Sequence, residues 1–172
     1  ALFFAKTLLC RKRGKKVFPC LSCQSCVKFS KNLHPDFLEI DKEDDKKNIS
    51  INQIRSLKTF FFSKSFYSQY KIAIINQADL LTIEAQNSLL KILEETPEKG
   101  IIILLSEEKE NFLLTILSRC QILHFFPIKR ELLKKEMLKK EGTESLIEEI
   151  LDYSQERPGL AIELLEKPEI LE

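Results

Sequence analysis

Five cysteines stand in this 172-residue sequence, and four of them, Cys10, Cys20, Cys23 and Cys26, follow the spacing C-x9-C-x2-C-x2-C. The two chained short steps bring three thiols within one or two turns of chain. Converging thiolates suit a tetrahedral Zn2+, which takes four soft ligands in a closed structural site. Oxidised pairs explain the spacing less well, because neighbouring thiols with only two residues between them make strained bridges. The run C-x2-C-x2-C also opens the bacterial ferredoxin motif, but no cysteine follows Cys26 at the required short interval and the Cys-Pro ending is missing. A closed site has no open position for substrate, so the metal would staple a small excursion of chain. His34 is a spare ligand that four thiols make unnecessary.

Other reactive side chains read more plainly. Arg119, in Ser118-Arg119-Cys120, is on its own a surface arginine holding a helix end. Cys120 reads as a small packed thiol. His34 and Asp36 fix a turn into a strand, and Asp79 and Thr82 are turn and cap residues. The aromatic run Phe60-Phe61-Phe62 with Phe66, Tyr67 and Tyr70 could stack bases, but its place at a helix end before an apolar run favours core packing.

The elements that must position these groups alternate. Ala1 to Cys10 is apolar at helical spacing, without the small-residue cleavage pattern of a secretory signal, and reads as a helix that begins outside this chain. Phe37 to Asp41 alternates like a strand. Ser50-x-x-Gln53 is a capping box, with Ile51, Ile54, Leu57 and Phe61 on one stripe behind it. Tyr70 to Asn76 is a nearly continuous apolar run, as in a strand buried on both faces of a parallel sheet. Thr82 caps a helix that reaches Glu95 and stops at Pro97. Ile101 to Ser106 predicts a further buried strand, Phe112 to Leu117 a short helix, and Gln121 to Phe126 a final strand. From Ile128 onward the pattern is helical. The sum is an α/β fold with a parallel sheet flanked by helices, residues 1–126, followed by a small helical domain, residues 127–172.

With 44% hydrophobic residues the chain can bury a real core, and no apolar run approaches the roughly 18 to 20 residues of a membrane span. Lys+Arg (27) and Asp+Glu (26) balance overall but not locally. Residues 1–31 hold eight bases and no acid, whereas residues 131–172 hold six bases and twelve acids. The basic end, Arg11 to Lys16 above all, could approach a polyanion, although such a turn is more often a solvated loop.

The order of these parts resembles the bacterial DNA polymerase III clamp-loader subunits of the AAA+ superfamily, the delta-prime branch most of all. The resembling pieces are the four-cysteine module, His34-Pro35-Asp36, Ile51-Asn52-Gln53-Ile54-Arg55, Ala78-Asp79-Leu80-Leu81-Thr82, the run Asn87 to Pro97 (NSLLKILEETP), and Thr115-Ile116-Leu117-Ser118-Arg119-Cys120. The resemblance implies a RecA-like AAA+ domain, a zinc module at residues 10–26 and a helical lid at 127–172, with the family's collar domain absent from this chain. It also implies a cytoplasmic hetero-oligomer with gamma/tau and delta subunits, a component of the polymerase holoenzyme that helps load the sliding clamp onto primer-template DNA.

In the resembling subunits the Ser-Arg-Cys arginine acts across an interface. Arg119 would complete a neighbouring subunit's ATP site, with Ser118 positioning it. The chain has no GxxxxGK[ST] loop, which in the family precedes the helix on which this sequence starts. The Walker B strand matches Lys71 to Ile75, yet Asn76-Gln77 replace the carboxylates that hold Mg2+ and polarise water. Glu107 falls at the polar sensor position and Gly159 at the sensor-2 arginine. These departures imply a subunit that does not hydrolyse ATP. The alternative is a gamma/tau-like ATPase whose P-loop lies upstream.

Overall fold

The apolar run that ends at Ile75 forms the middle strand of a three-stranded sheet. The computed structural model describes residues 1–12, 19–139 and 143–167, so Arg13, Lys15 and Lys16 of the basic segment lie outside the described residues. In chain order the elements are α1 (Leu2–Leu9), α2 (Gln24–Ser30), β1 (Phe37–Ile40), α3 (Ile51–Phe62), β2 (Lys71–Ile75), α4 (Ile83–Glu95), β3 (Gly100–Leu104), α5 (Leu114–Leu117), α6 (Arg130–Leu138), α7 (Glu144–Ser154) and α8 (Pro158–Glu166), with a 3-10 turn at Ala78–Leu80. The chain divides into two compact units, Ala1–Gln121 and Ile122–Glu172.

The first unit is a parallel sheet in the order β1-β2-β3, registered Phe37 to Ile72 and Lys71 to Gly100. Every residue of β2 is buried. Because side chains alternate along a strand, Ile72 and Ile74 serve one face and Ala73 and Ile75 the other. Ile72 and Ile74 pack with Ala5 and Leu9 of α1 and Phe29 of α2. Ala73 and Ile75 pack with Ile54, Leu57 and Phe61 of α3 and with Ala85, Leu89 and Ile92 of α4. The unit is thus three layers, with the cysteine-bearing segment on one side of the sheet.

The capping signals hold. The Ser50 backbone N–H donates to Gln53 Oε1 (3.0 Å), closing the capping box of α3, and Ala85 N–H donates to Thr82 Oγ1 (3.2 Å) at the start of α4. Lys71, the one charged residue in the central run, is buried and its ammonium donates to Phe60 O and Ser63 Oγ, tying β2 to the end of α3. Gly100 cannot carry a side chain without meeting Thr96 and Phe61, so the α4 to β3 turn packs tightly.

Three expectations differ from the structure. Of the aromatic run, Phe61 is buried and Phe60, Tyr67 and Tyr70 are partly covered, but Phe62 and Phe66 face solvent. β3 is only partly covered, not fully buried, because among the described residues it pairs with β2 alone. Gln121 to Phe126 is not a strand, and residues 121–129 form no regular element. Leu123, Phe125 and Phe126 face solvent, at 68%, 91% and 80% exposure. A strand exists only through a hydrogen-bonded neighbour, and alternation in sequence does not supply one.

The second unit packs α6, α7 and α8 around Leu133, Met137, Ile147, Ile150, Leu151, Ala161 and Leu164. Its acidic surplus is partly answered in place. Arg130 forks to Glu148 (2.7 Å) and Asp152 (2.7 Å), and Lys134 reaches Glu144 (2.8 Å) and Glu148 (2.5 Å).

A buried polar chain joins the cysteine segment to the sheet. Ser25 Oγ donates to Leu9 O (2.6 Å), which uses its only proton, so His34 Nε2 must be the donor in the 2.8 Å contact to Ser25 Oγ. His34 Nδ1 then accepts the Asp36 N–H (3.1 Å), and the neutral ring satisfies both partners. The Asp36 carboxylate is fully buried and accepts three backbone N–H groups, from Phe66 (2.8 Å), Tyr67 (2.7 Å) and Ser68 (2.9 Å). His34 and Asp36 therefore fix the entry to β1 and the loop before β2, as turn residues would.

Removing the carboxylate by Asp36→Ala leaves three N–H groups without their charged acceptor and is expected to cost about 3 kcal/mol in urea unfolding, while Asp36→Asn costs less. Burial holds the His34 pKa below its ordinary value, with Asp36 opposing the shift and Lys28 adding to it. The unfolded chain therefore takes up this proton first. His34 contributes full stability above about pH 6.5 and loses it as the pH falls toward the folded value. His34→Asn keeps an acceptor for the Asp36 N–H but does not titrate. The urea midpoint of the native protein should fall more steeply than the variant's between about pH 7.5 and 5.5.

Candidate functional site

The four cysteines converge through local geometry. Helix α1 ends at Leu9, and Cys10 leaves it in extended conformation. Leu21 adopts φ 59°, a left-handed turn that bulky residues avoid, and it folds the chain back between Cys20 and Cys23. Cys23 is the N-cap of α2, whose first turn delivers Cys26. The four sulfurs all lie within 4.8 Å of one another, with Cys20 and Cys26 at 4.0 Å. Ideal tetrahedral thiolates around zinc sit about 3.8 Å apart, so the donor set fits with a small contraction.

The backbone is also arranged for sulfur that carries charge. The N–H groups of Cys20, Cys23 and Cys26 point at the sulfurs of Cys10 (3.4 Å), Cys20 (3.3 Å) and Cys23 (3.5 Å). The Ser22 N–H is the main reason that the Cys20 thiol is brought down to about 6, and the Cys23 N–H adds to it. Cys23 also ionises more readily than usual, its backbone hydrogen bonds outweighing its burial. Cys26 goes the other way, pushed up to about 12 first by burial and then by Cys23 and Cys10. Four close sulfurs cannot all ionise together, and a divalent cation at their centre removes that conflict. His34, the spare ligand, is directed at Ser25 and Asp36 N instead.

Arg119 lies just beyond α5, with Ser118 as the C-cap of that helix. Its Nη1 donates to Thr115 O (3.1 Å) and more loosely to Ser118 Oγ (3.5 Å), and its Nη2 donates to Glu94 Oε1 (2.7 Å). The side chain is 42% exposed, so the guanidinium sits at the surface with donors to spare. Ser118 Oγ itself donates to Thr115 O (3.0 Å). Cys120 is half-buried against the α3 and α4 core, and burial raises its thiol.

The strand end at Asn76-Gln77 carries no free carboxylate of its own. Asn76 Nδ2 donates to both Glu39 Oε1 (2.8 Å) and Asp41 Oδ1 (2.7 Å) at the end of β1. An Asp at 76 could not do this, since a carboxylate would oppose two others. Gln77 takes φ 47° and starts the 3-10 turn at Ala78. Glu107 is exposed beyond β3. In the second unit Arg157 caps α8, and open space surrounds Gly159, so packing does not force a glycine there.

The partners of these residues lie far from them in sequence. Glu94 carried one available signal, an acid in the last turn of a helix, where the dipole disfavours it. Ser25 and the Asn76 contacts carried none, because they depend on how distant segments meet.

The family model described as "DNA polymerase III, delta subunit" matches residues 1–129. The DNA polymerase III subunit delta' of Bacillus subtilis (strain 168) is 34% identical over 141 residues, covering 82% of this chain and 42% of that protein. The gamma/tau subunit of Mycoplasma genitalium is 36% identical over 172 residues, covering 94% of this chain and 28% of that protein. The chain thus spans less than half the length of these relatives. A solved gamma-subunit-related protein of Thermotoga maritima matches with a TM-score of 0.53 at 24% identity, over 80% of this chain and 60% of its own. A RuvB mutant of the same organism matches with a TM-score of 0.52 at 14% identity, over 84% and 61%. These two show the α/β fold. The chain belongs to the DNA polymerase III delta-subunit family, and the matched region takes in the four cysteines, the central strand β2 and Ser118-Arg119-Cys120.

Proposed function

We propose that this chain is part of a delta-prime-like subunit of the DNA polymerase III clamp loader that does not hydrolyse ATP and supplies Arg119 in trans to the ATP site of a neighbouring gamma/tau subunit. The observation that carries this reading is a contrast within one α/β unit. An arginine is presented at the surface with spare donors, while the strand end that should hold metal ends in Asn76-Gln77, its amide engaged by Glu39 and Asp41. A planar guanidinium can stabilise charge developing on a transferred phosphoryl group, whereas neutral amides cannot replace metal-binding carboxylates. Ser118 is a positioning residue through Thr115 O and Arg119. The protein would work in the cytoplasm with gamma/tau and delta subunits, meeting the sliding clamp and primed DNA through the assembled complex. Residues 127–172 would be the helical lid.

Cys10, Cys20, Cys23 and Cys26 would hold a structural Zn2+, which when bound supplies only cross-linking. The chain's own groups do the rest, since the N–H donors to sulfur and the Ser25-His34 link carry the module's position to α1 and β1. The gamma/tau relatives favour a second reading, a divergent ATPase subunit with its phosphate loop upstream, which Asn76 and Gln77 oppose.

In a loader reconstituted from delta, gamma and the full-length protein containing this chain, Arg119→Ala is expected to lower DNA- and clamp-stimulated ATP turnover by about 10-fold or more without loss of assembly. The full-length protein alone should show no turnover. Unchanged turnover in the variant complex removes the trans role, and turnover by the protein alone restores the second reading. Metal analysis of protein purified without chelator should give about one zinc per chain, falling to none in Cys23→Ser. Stripping the metal should raise hydrogen exchange in α1 and α2 while β2 stays protected; equal exchange with and without metal removes the structural role.

A further inference from the structure

We propose that Glu94 is a positioning residue for Arg119, holding its guanidinium in the orientation that a neighbour's nucleotide requires. The inference rests on the trans-acting reading of Arg119 and adds a residue to it. Glu94 and Arg119 are 25 positions apart and belong to different elements, yet Glu94 Oε1 meets Arg119 Nη2 at 2.7 Å. The second hold comes from the carbonyl end of α5, where Thr115 O accepts from Nη1 at 3.1 Å. Two acceptors from two elements fix the plane of the guanidinium as well as its place. An arginine held by one acceptor would keep much of the rotamer freedom that a long side chain must lose on engaging phosphate.

The setting of Glu94 argues that it serves this contact more than the fold. It stands in the last turn of α4, where the carbonyl end of the helix disfavours an acid. Its neighbour Glu95 turns elsewhere, to Lys58 at 2.8 Å, so the two adjacent acids have separate partners. Glu94 and Arg119 are both substantially exposed, at 55% and 42%, and an exposed ion pair contributes little to stability. The contact leaves donors on the guanidinium uncommitted, since five N–H groups serve the Glu94, Thr115 and Ser118 contacts. Glu94 can therefore stay bonded to Arg119 while other N–H groups of the same plane face an anion.

The test uses the reconstituted loader with the full-length protein carrying Glu94→Gln, Glu94→Asp, Glu95→Gln, Arg119→Ala, and Glu94→Gln with Arg119→Ala. Glu94→Gln is expected to lower kcat for stimulated ATP turnover by about 3- to 10-fold with KM for ATP nearly unchanged, because an arginine that acts in the transition state is felt in kcat. Its thermal midpoint should match the native protein's. Glu94→Asp should recover part of the loss, and Glu95→Gln should show none. In the Arg119→Ala background Glu94→Gln should have no further effect, as for two residues acting as one unit.

A Glu94→Gln loss that multiplies with that of Arg119→Ala overturns the proposal, as does a loss confined to KM or matched by a drop in thermal midpoint. A rise in turnover also overturns it, since Glu94 would then be a competitor that restrains Arg119. If Arg119→Ala lowers turnover and Glu94→Gln does not, only this inference fails; if Arg119→Ala changes nothing, the trans-acting reading fails first.

Discussion

A strand buried on both faces has to be covered on both, and that requirement organises the first unit of this chain. β2 presents Ile72 and Ile74 to one side and Ala73 and Ile75 to the other, all of them fully buried. Each isoleucine removed from water is worth about 1.5 to 3 kcal/mol before conformational entropy is counted, so neither face can be left open. α3 and α4 cover one face through the stripes that their capping residues start. The other is covered by α1 and by Phe29 of α2, and that is where the cysteines are. Among the described residues, the cluster that joins the end of α1 to the start of α2 is made of the cysteines themselves. A metal there would set the spacing of two short helices, of 8 and 7 residues, that are marginal alone and must nonetheless cap the central strand.

The polar groups around that layer are there because burial leaves them no alternative. Ser25 has one proton, which Leu9 O takes, and this fixes the tautomer of His34, which in turn accepts from the Asp36 backbone. Asp36 then gathers the loop at Phe66 to Ser68 that feeds β2. The path from the cysteine segment to the central strand is thus a series of satisfied donors and acceptors, and among the described residues no buried side-chain nitrogen or oxygen lacks a partner. A network of this kind rewards completeness, because one missing member leaves another buried without water.

Much of the fold could be read in advance, and the reasons differ by element. Capping boxes and helical stripes are local chemistry, so α3 and α4 emerged from Ser50, Gln53 and Thr82 with little else. The run at β2 was legible because a short, isoleucine-rich apolar stretch suits a strand covered on both sides. Gln121 to Phe126 shows the limit. Its composition suits a strand, but pairing depends on a neighbour that no local pattern reveals, and β3 does not take it up. The cysteines were legible as a set because the two short steps gather three of them, while the return of Cys10 depends on how α1 ends and the chain turns at Leu21. Arg119 was legible as a motif but its holder was not, since Glu94 and Arg119 meet only after α4, β3 and α5 are in place.

The same distinction separates the two halves of the chemistry. Asn76 cannot be reasoned about as a lost carboxylate in isolation, for its amide donates to Glu39 and Asp41 and so balances two acids at the strand ends. An aspartate at 76 would place three carboxylates together without a cation, and they would repel one another. The neutral residue is therefore built into its surroundings. Arg119 is the reverse case, a charged group that the fold holds at the surface by two acceptors while leaving donors on the same plane uncommitted. In the proposed reading these two features divide the work, because the amides of Asn76 and Gln77 bring no carboxylate for a metal. In that reading the guanidinium of Arg119, held by Glu94 and Thr115 O, is the cation presented to phosphate that a neighbouring subunit holds.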